Sequence, residues 1–229
     1  MDLVIAGAII KDHTMIDKSI ASLPDYEFNN KFILFDGHSK EGLFKDDYDA
    51  YKNFIAKKYP DFCVIAFREN IYFRDMIEQI CNISEAERLF VVQDDVCCHQ
   101  MDLKQIEIQM NYVKDLKILC FPHKYIGPEG SNWYEIIDDT YPLPFIKSHG
   151  FSERIFICDR KNMLKICETK PKKNKMEKRF IEFIYNSAMN KSRWKEGYED
   201  EKERYWLDFG CYFHHDIYHT HLCGKRFIT

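Results

Sequence analysis

Four short apolar runs, separated by amphipathic stretches, dominate the first 96 residues of this 229-residue chain. The runs predict strands at residues 2–10, 31–36, 62–67 and 89–96, and the spacing of apolar residues between them predicts helices at 14–23, 46–58 and 72–82. Parallel strands need crossover connections, and a helix is the usual crossover. The sequence therefore predicts an α/β fold with a mostly parallel central sheet that helices cover on both faces.

The second half of the chain divides less clearly. Asp102 is predicted to cap a further helix, and strands are predicted at residues 117–121 and 154–158. Residues 122–150 lack periodicity and are rich in proline, glycine and aromatic residues, which favours a binding or lid segment. A basic run at residues 170–179 precedes a helix that is predicted to start at Phe180, and this run is interpreted as solvated. The length suits one domain rather than two.

Composition excludes several classes of protein. With 33 basic and 37 acidic residues, a net charge of −4 argues against a general nucleic-acid binder. Nine cysteines are scattered without a C-x-x-C pair, which predicts free thiols in a reducing, cytoplasmic compartment and argues against a structural zinc site. The N-terminus lacks the basic region of a signal peptide, and no apolar run approaches the ~20 residues that cross a bilayer.

The run at residues 89–96 reads L-F-V-V-Q-D-D-V and leads four apolar residues into the carboxylates of Asp94 and Asp95. Ligands of open α/β sheets bind at the carboxyl ends of strands. Two carboxylates there can hold a divalent cation, which in turn can hold a phosphate. A plain strand-to-turn corner is the alternative, because aspartate is also a common turn residue. At the end of the first strand, the small residues Ala6 and Gly7 would let a ligand approach the backbone.

Two polar clusters occupy the C-terminal quarter. The motif Y-E-D-E places Glu199 and Asp200 at a predicted helix start, where the macrodipole favours carboxylates. Farther on, H-T-H places His219 and His221 on one face of a predicted strand, where they form a natural ligand pair. The alternatives are an ordinary acid in the first turn of an exposed helix, and histidines at the surface or in the core.

The order of these motifs resembles the nucleotide-sugar-dependent glycosyltransferases of the GT-A fold, and its pattern is closest to the inverting family 2. The resemblance covers residues 2–225. It implies one domain over residues 1–229, with a nucleotide-binding half at 1–100 and an acceptor-binding half at 101–229. It also implies transfer of a sugar, with inversion, from a nucleoside-diphosphate donor to a glycan or other hydroxyl acceptor. UDP-sugar is the expected donor, and Mn²⁺ or Mg²⁺ is the expected cofactor.

The resemblance also implies a donor pocket. In this family the first strand ends near the nucleotide, as Ala6 and Gly7 would here. Asp36 resembles the family's acidic residue that recognises the base, and Arg74 resembles its arginine that faces the nucleotide. Arg68 could also reach the diphosphate or the base, although for either arginine taken alone a solvated or ion-paired side chain is the favoured interpretation.

The metal site of the family resembles the segment Gln93–Asp94–Asp95 together with a late histidine. Asp95 would be the metal ligand of this D-x-D-like motif, and His219 or His221 would complete the site, without a choice between them. Gln93 departs from the pattern, because the family has an acid there. The ribose or metal contact at that position is therefore weakened or rewired.

The catalytic base of the family resembles Asp200, with Glu199 as the fallback. Near neutral pH an ordinary carboxylate is ionised and can accept the proton of an attacking hydroxyl. His214 and His215 are interpreted as structural.

Three other functions stay open. A nucleotidyltransferase could use a similar sheet, but A-G-A-I-I-K after the first strand lacks a glycine-rich phosphate loop. A metal-dependent hydrolase built on the C-terminal histidine and aspartate cluster would need two metals about 3.5–4 Å apart. A non-catalytic glycan-binding protein of the same fold is kept open by Gln93.

Overall fold

The computed structural model describes residues 1–7, 14–35, 37, 45–68, 71–122, 136–138, 143–148, 151–152, 154–168, 210–216 and 218–221. Its helices are α1 (Thr14–Ala21), α2 (Lys45–Lys58), α3 (Phe73–Ile83), α4 (Leu103–Asn111) and α5 (Arg160–Glu168). Its strands are β1 (Asp2–Ala6), β2 (Lys31–Phe35), β3 (Cys63–Ala66), β4 (Arg88–Gln93), β5 (Val96–Cys98), β6 (Ile118–Cys120), β7 (Ile136–Asp138), β8 (Phe145–Ser148), β9 (Ile155–Asp159), β10 (Cys211–His214) and β11 (His219–His221).

Within the described residues, nine strands form one sheet in the order β3-β2-β1-β4-β9-β6-β10-β8-β7. The pairs β3–β2, β2–β1, β1–β4 and β6–β10 are parallel, whereas β9 runs antiparallel to both of its neighbours and β8 runs antiparallel to both of its own. All strands of this sheet except β8 and β9 therefore point the same way. The predicted mostly parallel α/β sheet is confirmed.

The strand order reverses between β1 and β4. From β1 the chain first adds β2 and then β3 on one side, and β4 is added on the opposite side of β1. The connections that leave β1 and β4 consequently run towards opposite lateral edges of the sheet. Such a reversal opens a crevice at the carboxyl ends of the two strands, and this is where open α/β sheets bind ligands.

Continuous apolar runs explain why β1 and β4 are central. All five residues of β1 are buried, as are Leu89, Phe90, Val91 and Val92 of β4, which suits parallel strands covered on both faces. Helix α3 buries the stripe that the sequence predicts for it, made of Phe73, Met76, Ile77 and Ile80. The predicted cap of α4 is also present, because the Asp102 carboxylate accepts the backbone N–H of Gln105 at 3.0 Å.

Several elements were missed by the sequence analysis. The short strands β7 and β8 lie within residues 122–150, where a lid or binding segment without regular elements was expected. Helix α5 follows β9 without a loop, and the Asp159 carboxylate caps it by accepting the N–H of Asn162 at 2.8 Å. The helical spacing of Met163, Ile166 and Cys167, all buried, is the sequence signal for α5.

Expectations about the cysteines, membrane-spanning helices and a late helix have different outcomes. The eight cysteines in the described part of the chain are all free thiols, in agreement with that expectation. Among the helices of the described residues, none is both long and apolar enough to cross a membrane. The helix expected to start at Phe180 lies outside the described residues.

The amino edge of the sheet is closed by a polar network around Asp2. The carboxylate of Asp2 is fully buried and accepts the hydroxyl of Ser84 at 2.6 Å. It also accepts the backbone N–H and the side-chain amide of Asn30, each at 3.1 Å. One carboxylate thus joins the start of β1, the turn before β2 and the end of α3, at the edge opposite the crevice.

We expect Asp2→Ala to lower the free energy of unfolding by about 3 kcal/mol, because the buried Ser84 hydroxyl and the two N–H donors of Asn30 lose their acceptor. Urea denaturation followed by circular dichroism measures the change. Asp25→Ala is the matched control, since Asp25 is exposed in the loop between α1 and β2. Equal stability of the two variants would contradict the structural importance of this network.

Candidate functional site

The ends of β1 and β4 meet closely at the crevice. Ala6 pairs with Gln93, and the backbone N–H of Asp94 donates to the carbonyl of Ala6 at 3.1 Å. Gly7 has a φ of +98°, and a Cβ built on it would lie 3.3 Å from Oδ1 of Asp94. The Asp94 carboxylate therefore faces the backbone of Gly7, and the glycine provides both the conformation and the space.

Asp94 and Asp95 form the turn that follows β4, and their exposed fractions are only 0% and 1%. Burial of a carboxylate away from water costs free energy, and two adjacent carboxylates also repel each other. A cation bound at this corner would offset both costs. Strand β4 ends at Gln93, so the strand predicted at residues 89–96 is interrupted and both carboxylates lie just past its carboxyl end.

The strand that carries His219 and His221 lies beside this corner. Strand β11 pairs antiparallel with β5, so that His221 is opposite Val96, the residue after Asp95, and His219 is opposite Cys98. The backbone N–H of His99 extends the pairing by donating to the carbonyl of Tyr218 at 2.6 Å. The strand predicted for the two histidines is present. Their side chains lie outside the described part of the structure.

Aspartate and histidine, which occur in these two neighbouring segments, are residue types that can bind a divalent cation. Carboxylate oxygens bind Mg²⁺ and Mn²⁺, and imidazole is accepted more readily by Mn²⁺. In the part of the chain whose side chains are described, no three histidine, cysteine, aspartate or glutamate side chains form a group that could hold a metal ion. The assignment of Asp95, His219 and His221 to a metal site stays a prediction.

The two candidate arginines differ in their surroundings. Arg68 is exposed just past β3. Arg74 lies in the first turn of α3, where its Nε and Nη2 are both 3.2 Å from Oδ1 of Asp75, so the ion-paired interpretation applies to it. Its Nη1 is buried and has no hydrogen-bond partner among the described residues. A buried guanidinium nitrogen without an acceptor is well suited to receive an anion.

Three candidates, Asp36, Glu199 and Asp200, lie outside the described residues. The neighbour of Asp36 is described, and the backbone N–H of Gly37 donates to the hydroxyl of Tyr48 at 3.1 Å. This bond holds the chain just after Asp36 at the carboxyl end of β2. The sequence places Tyr48 only on the inward face of a helix, and nothing in the helical pattern shows where its hydroxyl lies.

His214, at the carboxyl end of β10, is buried among aromatic rings. Its ring stacks on Phe121 with centroids 5.8 Å apart and meets Phe145 edge-on at 5.7 Å. Burial lowers the pKa of His214 from its ordinary 6.5 to about 4, although the charge of Asp216 acts in the opposite direction. His214 is therefore neutral at pH 7, in agreement with its structural interpretation.

Comparisons with known proteins agree with the observed fold. No family model matches the chain, and no curated protein matches its sequence. Three solved structures resemble it over nearly its whole length. The chain has the GT-A-type fold predicted from its sequence.

The first of these structures is GalNAc-T7 with UDP, GalNAc and Mn²⁺, with a TM-score of 0.58, 9% identity, and coverage of 97% of this chain and 43% of that one. TarS from S. aureus has a TM-score of 0.56 and 11% identity, with coverage of 97% and 36%. A Bacillus anthracis protein described as a glucose-1-phosphate thymidylyltransferase has a TM-score of 0.53 and 12% identity, with coverage of 96% and 88%.

The likeness stops at the fold, because all three identities are very low. The chain spans less than half the length of GalNAc-T7 and of TarS, so nothing about those whole proteins transfers directly. The narrower resemblance to family 2 stays a prediction.

We expect Gly7→Ala to lower the free energy of unfolding by about 1–3 kcal/mol, because alanine strains a backbone with positive φ. The new methyl group would also press on the Asp94 carboxylate. Urea denaturation of Gly7→Ala, Asp94→Ala and the double variant separates the two effects. If the cost of Gly7→Ala is the same in the Asp94→Ala background, the close approach of Gly7 and Asp94 is contradicted.

A second prediction uses the lowered pKa of His214. Between pH 6.5 and about 4 the unfolded chain binds a proton that the folded chain does not, so stability falls as the pH falls through this range. Protonation of His214 should lower the free energy of unfolding by about 3 kcal/mol between pH 7 and 4. Urea denaturation across pH measures the loss, which should be absent in His214→Phe and present in the control His99→Asn. Parallel curves for wild type and His214→Phe would contradict the prediction.

Proposed function

We propose that this chain transfers a sugar from a nucleoside-diphosphate donor, expected to be a UDP-sugar, to a hydroxyl of a glycan or similar acceptor. The observation that carries the proposal is the corner of buried carboxylates, Asp94 and Asp95, at the reversal between β1 and β4. Strand β11 with its two histidines lies beside that corner. The GT-A-type fold and the UDP and Mn²⁺ present in the GalNAc-T7 structure support the same function.

The donor would lie along the carboxyl edge of the sheet, in the half of the chain formed by residues 1–100. Ala6 and Gly7, at the end of β1, would lie next to the nucleoside, and Asp36 would accept the N3–H of uracil. Arg74 would donate its buried Nη1 to a phosphate oxygen, and Arg68 would add a second positive charge. Gln93 would contact the ribose with an amide rather than a carboxylate, which removes one negative charge from the pocket.

Asp95, together with His219 or His221, would hold Mn²⁺ or Mg²⁺, and Asp94 would add negative charge beside them. When bound, the cation would neutralise the charge that develops on the departing diphosphate. The residues themselves would fix the diphosphate against the crevice and keep the leaving group in line with the acceptor. The pairing of β1 with β4, which the bond from the Asp94 N–H to the Ala6 carbonyl extends, supports this role by holding the turn that carries both carboxylates.

The acceptor would bind in the half formed by residues 101–229. Asp200 would accept the proton of the acceptor hydroxyl as that oxygen attacks the anomeric carbon, and Glu199 is the fallback base. Attack on the face opposite the departing diphosphate inverts the anomeric centre. A carboxylate is a weak base towards an alcohol, so much of its effect comes from orienting the hydroxyl.

Nucleotidyl transfer is a second candidate, favoured by one observation. The Bacillus anthracis protein described as a thymidylyltransferase is covered over 88% of its length, so it matches this chain in size as well as in fold. The sequence after β1 lacks the glycine-rich loop expected of that chemistry. Release of pyrophosphate from dTTP and glucose 1-phosphate would establish this function instead of sugar transfer.

We expect Asp95→Ala to abolish Mn²⁺-dependent binding of UDP, because the cation loses its carboxylate ligand. Calorimetric titration of UDP, and then of GDP, with and without Mn²⁺, measures the effect and also identifies the base. Asp25→Ala, in an exposed loop, should bind as the wild type does. Failure of the wild type to bind either nucleotide would contradict sugar transfer from these donors and leave nucleotidyl transfer, the hydrolase and the non-catalytic glycan-binding protein as candidates.

We expect Asp200→Asn to keep binding of the donor and to lose transfer, because an amide cannot accept the proton of the acceptor. Titration of UDP measures the first property, and release of UDP in the presence of acceptor measures the second. Glu199→Gln tests the fallback base and should retain transfer if Asp200 is the base. Transfer at the wild-type rate by Asp200→Asn would show that the base is another residue.

A further inference from the structure

We propose that His214 is a positioning residue that fixes β11, and with it His219 and His221, beside Asp95. The inference rests on the proposed function, because it assigns a task to His214 within the same metal site. His214 itself would not touch the metal or the donor.

The position of the imidazole proton follows from one hydrogen bond. Nδ1 of His214 accepts the backbone N–H of Asp216 at 3.0 Å. A neutral imidazole has one acceptor nitrogen and one N–H, so the proton is on Nε2. The low pKa of His214 keeps the ring in this neutral form at pH 7. The hydrogen bond spans the bend that follows β10 at residues 215–216.

Tyr218 carries the same turn onward to β11. Its ring meets the ring of His214 edge-on with centroids 4.9 Å apart, and its hydroxyl donates to Oδ2 of Asp216 at 3.2 Å. Burial and the neighbouring Asp216 charge raise the pKa of Tyr218 to about 12, so the hydroxyl keeps its proton. The carbonyl of Tyr218 accepts the N–H of His99, which begins the pairing of β11 with β5.

The start of the turn is anchored to the main sheet. The ring of His214 is held between Phe121, after β6, and Phe145 of β8. The N–H of His215 donates to the carbonyl of Pro144 at 2.9 Å. The contacts therefore form one continuous path from the main sheet through His214 and Tyr218 to the strand opposite Val96. A change in the turn would shift β11 relative to the segment that follows Asp95.

Packing and hydrogen bonding make opposite demands on a substitution here. Phenylalanine would fill the aromatic pocket but has no acceptor for the Asp216 N–H. Asparagine places its Oδ1 three bonds from Cα, as Nδ1 of histidine is, and keeps the acceptor while leaving a cavity. If His214 only fills space, His214→Phe should keep UDP affinity and slow exchange of β11 better than His214→Asn. If His214 positions β11, His214→Asn should keep both better.

The experiment compares wild type, His214→Phe and His214→Asn as full chains in three measurements. Thermal unfolding should rank His214→Phe above His214→Asn, because the cavity destabilises the second variant. Mn²⁺-dependent titration of UDP should rank them the other way, with a loss of roughly ten-fold in His214→Phe, as for other residues that orient metal ligands. Hydrogen exchange of residues 218–221 should accelerate in His214→Phe and stay near wild type in His214→Asn.

The proposal would be overturned if UDP affinity and hydrogen exchange ranked the two variants in the same order as their thermal stability. Packing alone would then explain the effect of His214. Absence of Mn²⁺-dependent nucleotide binding in the wild type would instead refute the proposed function. In that case hydrogen exchange still decides the inference. Faster exchange of residues 218–221 in His214→Phe would support the positioning of β11, and unchanged exchange would refute it.

Discussion

The parallel pairing of β1 with β4 is the interaction on which the candidate site depends. It sets Ala6 opposite Gln93 and directs the N–H of Asp94 to the carbonyl of Ala6, so the turn at Asp94 and Asp95 closes directly over the end of β1. Because both strands are buried, their register is fixed by the hydrophobic core. The site inherits its rigidity from that core rather than from the loops around it.

The two edges of the sheet carry different kinds of polar group. At the amino edge, Asp2 has its donors in Ser84 and Asn30, and Arg160 donates to the carbonyls of Ala86 and Cys81. These groups satisfy one another and hold elements together. At the carboxyl edge, the buried nitrogen Nη1 of Arg74 has no hydrogen-bond partner among the described residues. An anion at the carboxyl edge would give this nitrogen the acceptor that it lacks among the described residues.

How much could be predicted from sequence depended on the range of the interactions. Helix α3 and strand β4 have strong local patterns, and both were predicted to within a few residues. Strand β10 was missed because its stability comes from pairing with β6, where Cys211 lies opposite Ile118, far away in sequence. The neighbourhood of Asp95 and β11 was predicted only through the resemblance to a family. The burial of His214 and the position of the Tyr48 hydroxyl at the carboxyl end of β2 have no local signal in the sequence.

Anomalous diffraction at the manganese edge tests the central claim most directly. Crystals grown with Mn²⁺ and UDP should show one strong anomalous peak within bonding distance of Asp95 and of His219 or His221. The diphosphate should contact the ion at that peak, and the uridine should lie towards Ala6. A nucleotide bound elsewhere on the molecule, or a peak that avoids Asp95 altogether, would contradict the account.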